Sequence, residues 1–134
     1  MTSGPATVPV RPALVDLVTF GYKFGDPPPA DLTFDVRFLA NPFWVPELQP
    51  LSGLEPRVRE YVLSQPDAIR FLELVENLIE VTLPHYQDEG RSQITVALGC
   101  TGGFHRSIAL AEELAVHLRA QDLTVAVHHR ELPA

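Results

Sequence analysis

Cysteine and lysine are almost absent from this 134-residue chain: Cys100 and Lys23 are the only examples of each. A lone cysteine excludes an internal disulfide and fits a reducing, cytoplasmic setting. With one lysine, thinly spread arginine and a net charge of −7 at pH 7, a general nucleic-acid-binding surface is not expected, because such surfaces are basic. No apolar run approaches the ~20 residues of a membrane span, so no membrane partner is expected. Met1 to Pro12 lacks the charged and apolar regions of a signal peptide and reads as a flexible leader before a single domain, Ala13 to Ala134. There is no Gly-x4-Gly-Lys-Ser/Thr sequence, which excludes a P-loop NTPase of the usual kind. Internal repeats are absent too.

What remains is ordinary globular composition, 46% hydrophobic and 20% charged, in a chain long enough to bury about two-thirds of its unfolded surface. Ala13–Phe20 reads as a first strand. Three successive prolines, Pro27 to Pro29, then force a loop. Leu32–Leu39 reads as a second strand, with Leu32, Phe34, Val36 and Phe38 on one face and Thr33, Asp35, Arg37 and Leu39 on the other. Ala40–Pro56 is irregular. A short helix is expected over Pro56–Leu63 and a longer one from Pro66, where Ala68, Phe71, Leu72, Val75, Leu78 and Ile79 recur at helical spacing. That stripe suits a core, or in part a dimer face. Pro84 is expected to end or kink this helix. Gln93–Leu98 reads as a third strand, Ser107–Ala120 as a last helix with Ile108, Ala111, Leu114, Ala115 and Leu118 buried, and Leu123–His128 as a fourth strand. The expected fold is a single α/β domain: about four strands, mostly parallel, flanked by helices.

The segment Gly99-Cys100-Thr101-Gly102-Gly103-Phe104-His105-Arg106-Ser107 joins the third strand to the last helix. Glycines let the backbone curl so that N–H groups point inward. The helix start adds unpaired N–H groups and the positive end of its dipole. Arg106 supplies a forked, permanently charged donor suited to phosphate. In parallel sheets ligands bind beyond the carboxyl ends of the strands, where this loop lies. It reads as a phosphate-binding loop.

Several residues admit two roles. Cys100, five residues, Arg106 and Ser107 reproduce the Cys-x5-Arg-Ser/Thr spacing of cysteine-dependent phosphatases, with Asp26 or Asp35 as general-acid candidates; yet Gly99 stands where their histidine usually precedes the cysteine. Equally, Cys100 is a small residue suited to burial at a strand end. His105 either donates to a ligand or caps local backbone. Arg106 either holds phosphate or pairs with a carboxylate. Asp35 and Arg37 either face a pocket or form a side-by-side ion pair. His128 and His129 are adjacent in a strand, point to opposite faces and make a poor zinc site.

Four stretches together carry a resemblance: Phe20-Gly21-Tyr22-Lys23-Phe24-Gly25, Phe34-Asp35-Val36-Arg37-Phe38-Leu39 with Asn41-Pro42-Phe43-Trp44, Leu51-Ser52-Gly53-Leu54, and the Gly99–Ser107 loop. From about Val15 to Glu131 the chain resembles the C-terminal domain of the RapZ family of RNase adapter proteins. The resemblance implies a non-catalytic domain that senses glucosamine-6-phosphate and so controls binding of a regulatory RNA or a partner protein. It implies phosphate held by Thr101, Gly102, Gly103, His105, Arg106 and Ser107, with Asp35, Arg37, Asn41 and Cys100 on the sugar side. It also implies a homodimer or larger oligomer, and no metal or redox cofactor. Full-length relatives carry an N-terminal P-loop kinase-like domain, so either a free-standing version or a piece cut from a longer chain is expected. Phe43 stands where the family pattern has a ligand-facing histidine. His129-Arg130-Glu131-Leu132-Pro133-Ala134 replaces the basic tail expected to help grip RNA.

Overall fold

The computed structural model describes residues 14–133, so the leader and Ala13 lie outside the described residues. Its elements are strand β1 (Leu14–Gly21), strand β2 (Leu32–Asp35), helix α1 (Pro56–Leu63), helix α2 (Pro66–Asp88), strand β3 (Gln93–Cys100), helix α3 (Arg106–Ala120) and strand β4 (Thr124–His129). The four strands form one all-parallel sheet in the order β2-β3-β1-β4. β1 is therefore central, with Val15 opposite Ile94 on one side and Val125 on the other. β3 and β4 are parallel, as the strand–helix–strand pattern predicts, but β1 lies between them.

Period-2 alternation aims Val15 and Leu17 of β1, Ile94, Val96 and Leu98 of β3 and Val125 of β4 at one core. The three helices contribute Val58 and Val62, then Ala68, Leu72, Val75, Ile79 and Leu83, then Ala111, Leu114, Ala115 and Leu118 to the same cluster. On α2 the predicted stripe is buried except at its edges: Phe71 is half-buried and Leu78 is exposed. Both α1 and α2 start with proline at the first helical position, where the missing N–H costs nothing.

Two expectations are corrected. β2 stops at Asp35, not Leu39. Val36 N–H makes a last bond to the Gly99 carbonyl at 2.8 Å, but the Asp35 carboxylate then accepts the Arg37 N–H at 3.0 Å and turns the chain. The turn undoes the predicted faces, since Leu39 is buried with Val36 while Phe38 is exposed. Of the two outcomes expected at Pro84, an end of α2 does not occur: the helix runs another turn to Asp88. The proline ring faces solvent, and buried Leu83 with half-buried Tyr86 anchors the turn around it. α2 stops beyond it, at Gly90 with φ +87°, where the Arg91 N–H returns to the Tyr86 carbonyl at 3.0 Å.

Candidate phosphate pocket

A cavity of about 400 Å3 opens beyond the carboxyl ends of β1, β3 and β4. Lys23 and Phe24 follow β1, Cys100 to Gly102 and Phe104 to Arg106 follow β3, and Glu131 follows β4. Asn41, Phe43, Trp44 and Gln49 form the remaining wall.

The loop is shaped by close backbone contact. Gly103 has φ +65°, and a Cβ there would lie 2.6 Å from the Gly21 nitrogen. Only glycine allows both the left-handed conformation and this approach. The Gly53 N–H donates to the Phe104 carbonyl at 2.8 Å, and the Lys23 N–H to the Thr101 carbonyl at 3.1 Å. These bonds occupy two of the loop's carbonyls. Among the described residues, none accepts a hydrogen bond from the backbone N–H of Gly102, Gly103, Phe104 or His105. The first amides of α3 likewise have no partner within the helix, so uncommitted donors run from Gly102 into the helix start.

Arg106, only 5% exposed, reaches from that helix start into the protein. Its Nη1 donates to the carbonyls of Arg37 at 2.9 Å and Leu39 at 3.0 Å, and Nη2 reaches Thr101 Oγ1 at 3.4 Å. Its buried Nε has no partner among the described residues, and none of their carboxylates forms an ion pair with it. The guanidinium is thus a buried cation tied to neutral carbonyls.

His105 Nε2 lies 3.0 Å from the Gln49 carbonyl. A carbonyl can only accept, so the proton is on Nε2. Burial drives its pKa below the ordinary histidine value, against the opposing pull of the Gln49 carbonyl, so the ring is neutral at pH 7. The Cys100 thiol is 2% exposed and donates to Ser107 Oγ at 3.3 Å. Gly99 points to the other face of the sheet, where a Cβ would lie 2.4 Å from the Phe20 ring. That is why no histidine stands before this cysteine.

Of the residues predicted for the phosphate, Thr101, Gly102, His105 and Arg106 line the cavity. Gly103 is buried beneath it, and Ser107 is buried with its hydroxyl on Cys100. Of the sugar-side set, Asn41 and Cys100 line it. Asp35 and Arg37 do not: they form an exposed two-point ion pair, with Nε–Oδ1 at 2.9 Å and Nη2–Oδ2 at 2.6 Å. The arginine fork holds the Asp35 carboxyl below its ordinary pKa, while its guanidinium carbon lies 4.0 Å from the Tyr22 ring centre. Asp26 is exposed and also lies outside the lining. His128 is exposed, whereas His129 bonds Thr19 Oγ1 and Glu112 Oε2, each at 2.8 Å.

Four contributors were not singled out from sequence. Lys23 runs its side chain along Gly102, its Cε 3.7 Å from where a Cβ would stand. The signal was there: it is the only lysine, and it lies in the Phe-Gly-Tyr-Lys-Phe-Gly stretch. Phe24 and Trp44 were readable only as motif members. Glu131 had no local signal. Its Oε2 accepts from the Gly21 N–H at 2.9 Å and from Arg130 Nε at 2.8 Å, pinning the end of β1 to the segment after β4.

The sequence model of the RapZ C-terminal domain matches residues 13–133. Among similar curated proteins, a nucleotide-binding protein of Geobacter metallireducens is 50% identical over 122 residues, which cover 91% of this chain and 43% of that protein. One from Anaeromyxobacter sp. (strain K) is 53% identical over 118 residues, 88% of this chain and 40% of its own. One from Mycolicibacterium smegmatis is 54% identical over 119 residues, 88% and 41%. The chain thus spans about two-fifths of the length of these relatives. Matched along almost all its length, the protein belongs to the RapZ C-terminal domain family.

Proposed function

We propose that this domain is a phosphosugar sensor: the loop holds the phosphate of a ligand resembling glucosamine-6-phosphate, and binding regulates a partner without chemistry on the ligand. The observation that carries this reading is Arg106. A buried cation with no carboxylate in direct contact is costly, Asp35 acting on it only through space, and an incoming phosphate supplies a direct counter-ion beside the uncommitted N–H groups of Gly102 to His105. Lys23 adds a second positive charge from the cavity wall. Cys100 serves as floor, its thiol turned to Ser107. Family membership supports a regulatory, adapter-type role over a catalytic one.

Glucosamine-6-phosphate has about sixteen heavy atoms; at about −0.3 kcal/mol each, binding is near −5 kcal/mol, a sub-millimolar affinity suited to an abundant metabolite. The partner is a protein or an RNA, and the net charge of −7 favours the protein, because phosphate contacts dominate nucleic-acid affinity. Calorimetric titration with glucosamine-6-phosphate, against glucosamine and inorganic phosphate, tests the reading. Binding of the phosphosugar with no binding of glucosamine supports it. Equal binding of glucosamine overturns it.

A further inference from the structure

Among the described residues, the charged side chains that line the cavity are Lys23, Arg106 and Glu131, two cations and a single carboxylate. A carboxylate beside an anion site repels the anion, so it weakens a pocket that takes phosphate alone. Glu131 is nevertheless held there firmly. Its side chain is 14% exposed, and its Cγ lies 2.7 Å from where a Cβ would stand on Gly103 of the loop. Oε2 accepts from the Gly21 N–H at 2.9 Å and from Arg130 Nε at 2.8 Å. Those two bonds fix the carboxylate and use one of its oxygens; Oε1 accepts from no described residue. Arg130 is its only ion-pair partner among the described residues. That arginine lies outside the lining, with its other two nitrogens on the carbonyls of Asp26 and Gly21.

The cavity wall therefore has two polarities. Arg106, Lys23 and the uncommitted loop amides suit a phosphate. The carboxylate suits a cation that donates a hydrogen bond. A small ligand that carries both groups is a zwitterion. We propose that Glu131 determines the specificity of the phosphosugar site: its Oε1 accepts from the protonated amino group of an amino-sugar phosphate, so that the pocket selects such ligands over neutral sugar phosphates. This rests on the phosphate-loop reading and adds to it the residue that reads the amino group. Gly21 and Arg130 set the carboxylate in advance, so binding does not have to order it first. A neutral sugar places a hydroxyl where the ammonium would be, and a hydroxyl also donates. The selectivity is then the difference between a charge-assisted and a neutral hydrogen bond, about tenfold in affinity.

Glucosamine-6-phosphate and glucose-6-phosphate differ only in that ammonium against a hydroxyl. Calorimetry measures both ligands on the wild type, Glu131→Gln and Glu131→Asp. The wild type is expected to bind glucosamine-6-phosphate about tenfold tighter than glucose-6-phosphate. Glu131→Gln removes the charge and keeps an acceptor for the Gly21 N–H. It is expected to weaken glucosamine-6-phosphate about tenfold and to leave glucose-6-phosphate within about twofold. Glu131→Asp keeps the charge and is expected to retain part of the preference. A purely structural Glu131 would move both ligands together, so equal losses in Glu131→Gln overturn the proposal, as does a preference that survives this substitution. Equal affinities in the wild type also overturn it, need no variant to fold, and leave the phosphate-loop reading intact. Binding of neither phosphosugar by the wild type overturns the phosphate-loop reading itself, and the role of Glu131 with it.

Discussion

The Arg106 guanidinium donates to the Leu39 carbonyl at 3.0 Å, tying the first residue of α3 to a turn 67 positions earlier. Two residues beyond Leu39 begins the wall that carries Asn41, Phe43 and Trp44. One side chain therefore ties the Gly99–Ser107 loop to the opposite wall. Replacing Arg106 with alanine is expected to weaken phosphosugar binding at least about tenfold and to cost about 2–3 kcal/mol of stability, because two buried carbonyls lose their donors. Arg106→Lys keeps the charge but not the fork. It should fold more stably than the alanine variant while still binding weakly. Urea unfolding and calorimetry on both variants check this.

Gly103 and Gly90 both have positive φ, but only Gly103 is crowded. A Cβ at Gly90 meets nothing within 4 Å. Gly90→Ala is therefore expected to cost about 1 kcal/mol, from backbone strain alone. Gly103→Ala must also push apart β1 and the loop, and is expected to cost more than about 3 kcal/mol and abolish phosphate binding. The two denaturation midpoints, measured side by side, decide it.

His117 bridges α2 and α3. Its Nδ1 lies 2.8 Å from Glu76 Oε2 and its Nε2 2.8 Å from Glu113 Oε2. The hydrogen bond to Glu76 is the main cause holding its pKa above the ordinary histidine value, burial opposes it, and Glu113 adds to the rise. A raised folded-state pKa means that the protonated form contributes stability below about 6.5, the unfolded value, and that this is lost as pH climbs through the higher folded value. The glutamates must stay ionised, so the window lies above the carboxylate range. The stability gap between wild type and His117→Gln is expected to be wider at pH 6 than at pH 9, by urea midpoints at each. A gap that widens with rising pH would contradict it.

Phe43 is where the RapZ pattern has histidine. Phe43→His is expected to tighten glucosamine-6-phosphate binding about three- to tenfold, the worth of one added hydrogen bond, with stability little changed because the position is exposed. Calorimetry on the variant measures it.

Where a local signal was strong, the chain was readable. Proline at the first position set the starts of α1 and α2, and Ile108 to Leu118 marked the buried face of α3. The end of β2 was hidden because an alternating pattern continues past Asp35, and only the side-chain bond to Arg37 N–H breaks it. The position of β1 between β3 and β4 is a tertiary choice that no window of sequence encodes. The Gly99–Ser107 segment was legible as a loop between strand and helix because glycines, arginine and a helix start are contiguous. Glu131 was not legible, because it reaches Gly21 only once β4 lies beside β1 in the sheet.

The central place of β1 sets a timetable for the molecule. The first strand made hydrogen-bonds only to β3 and β4, the last two made, so on the ribosome Leu14 to Gly21 waits unpaired until β3 has left the exit tunnel and gains its second neighbour only after His129 has followed. Such distant pairings form slowly and expose a hydrophobic strand in the interval. A nascent chain stopped after α3 would still lack one of the two neighbours of β1, and so would present an open strand edge of the kind on which other chains pair.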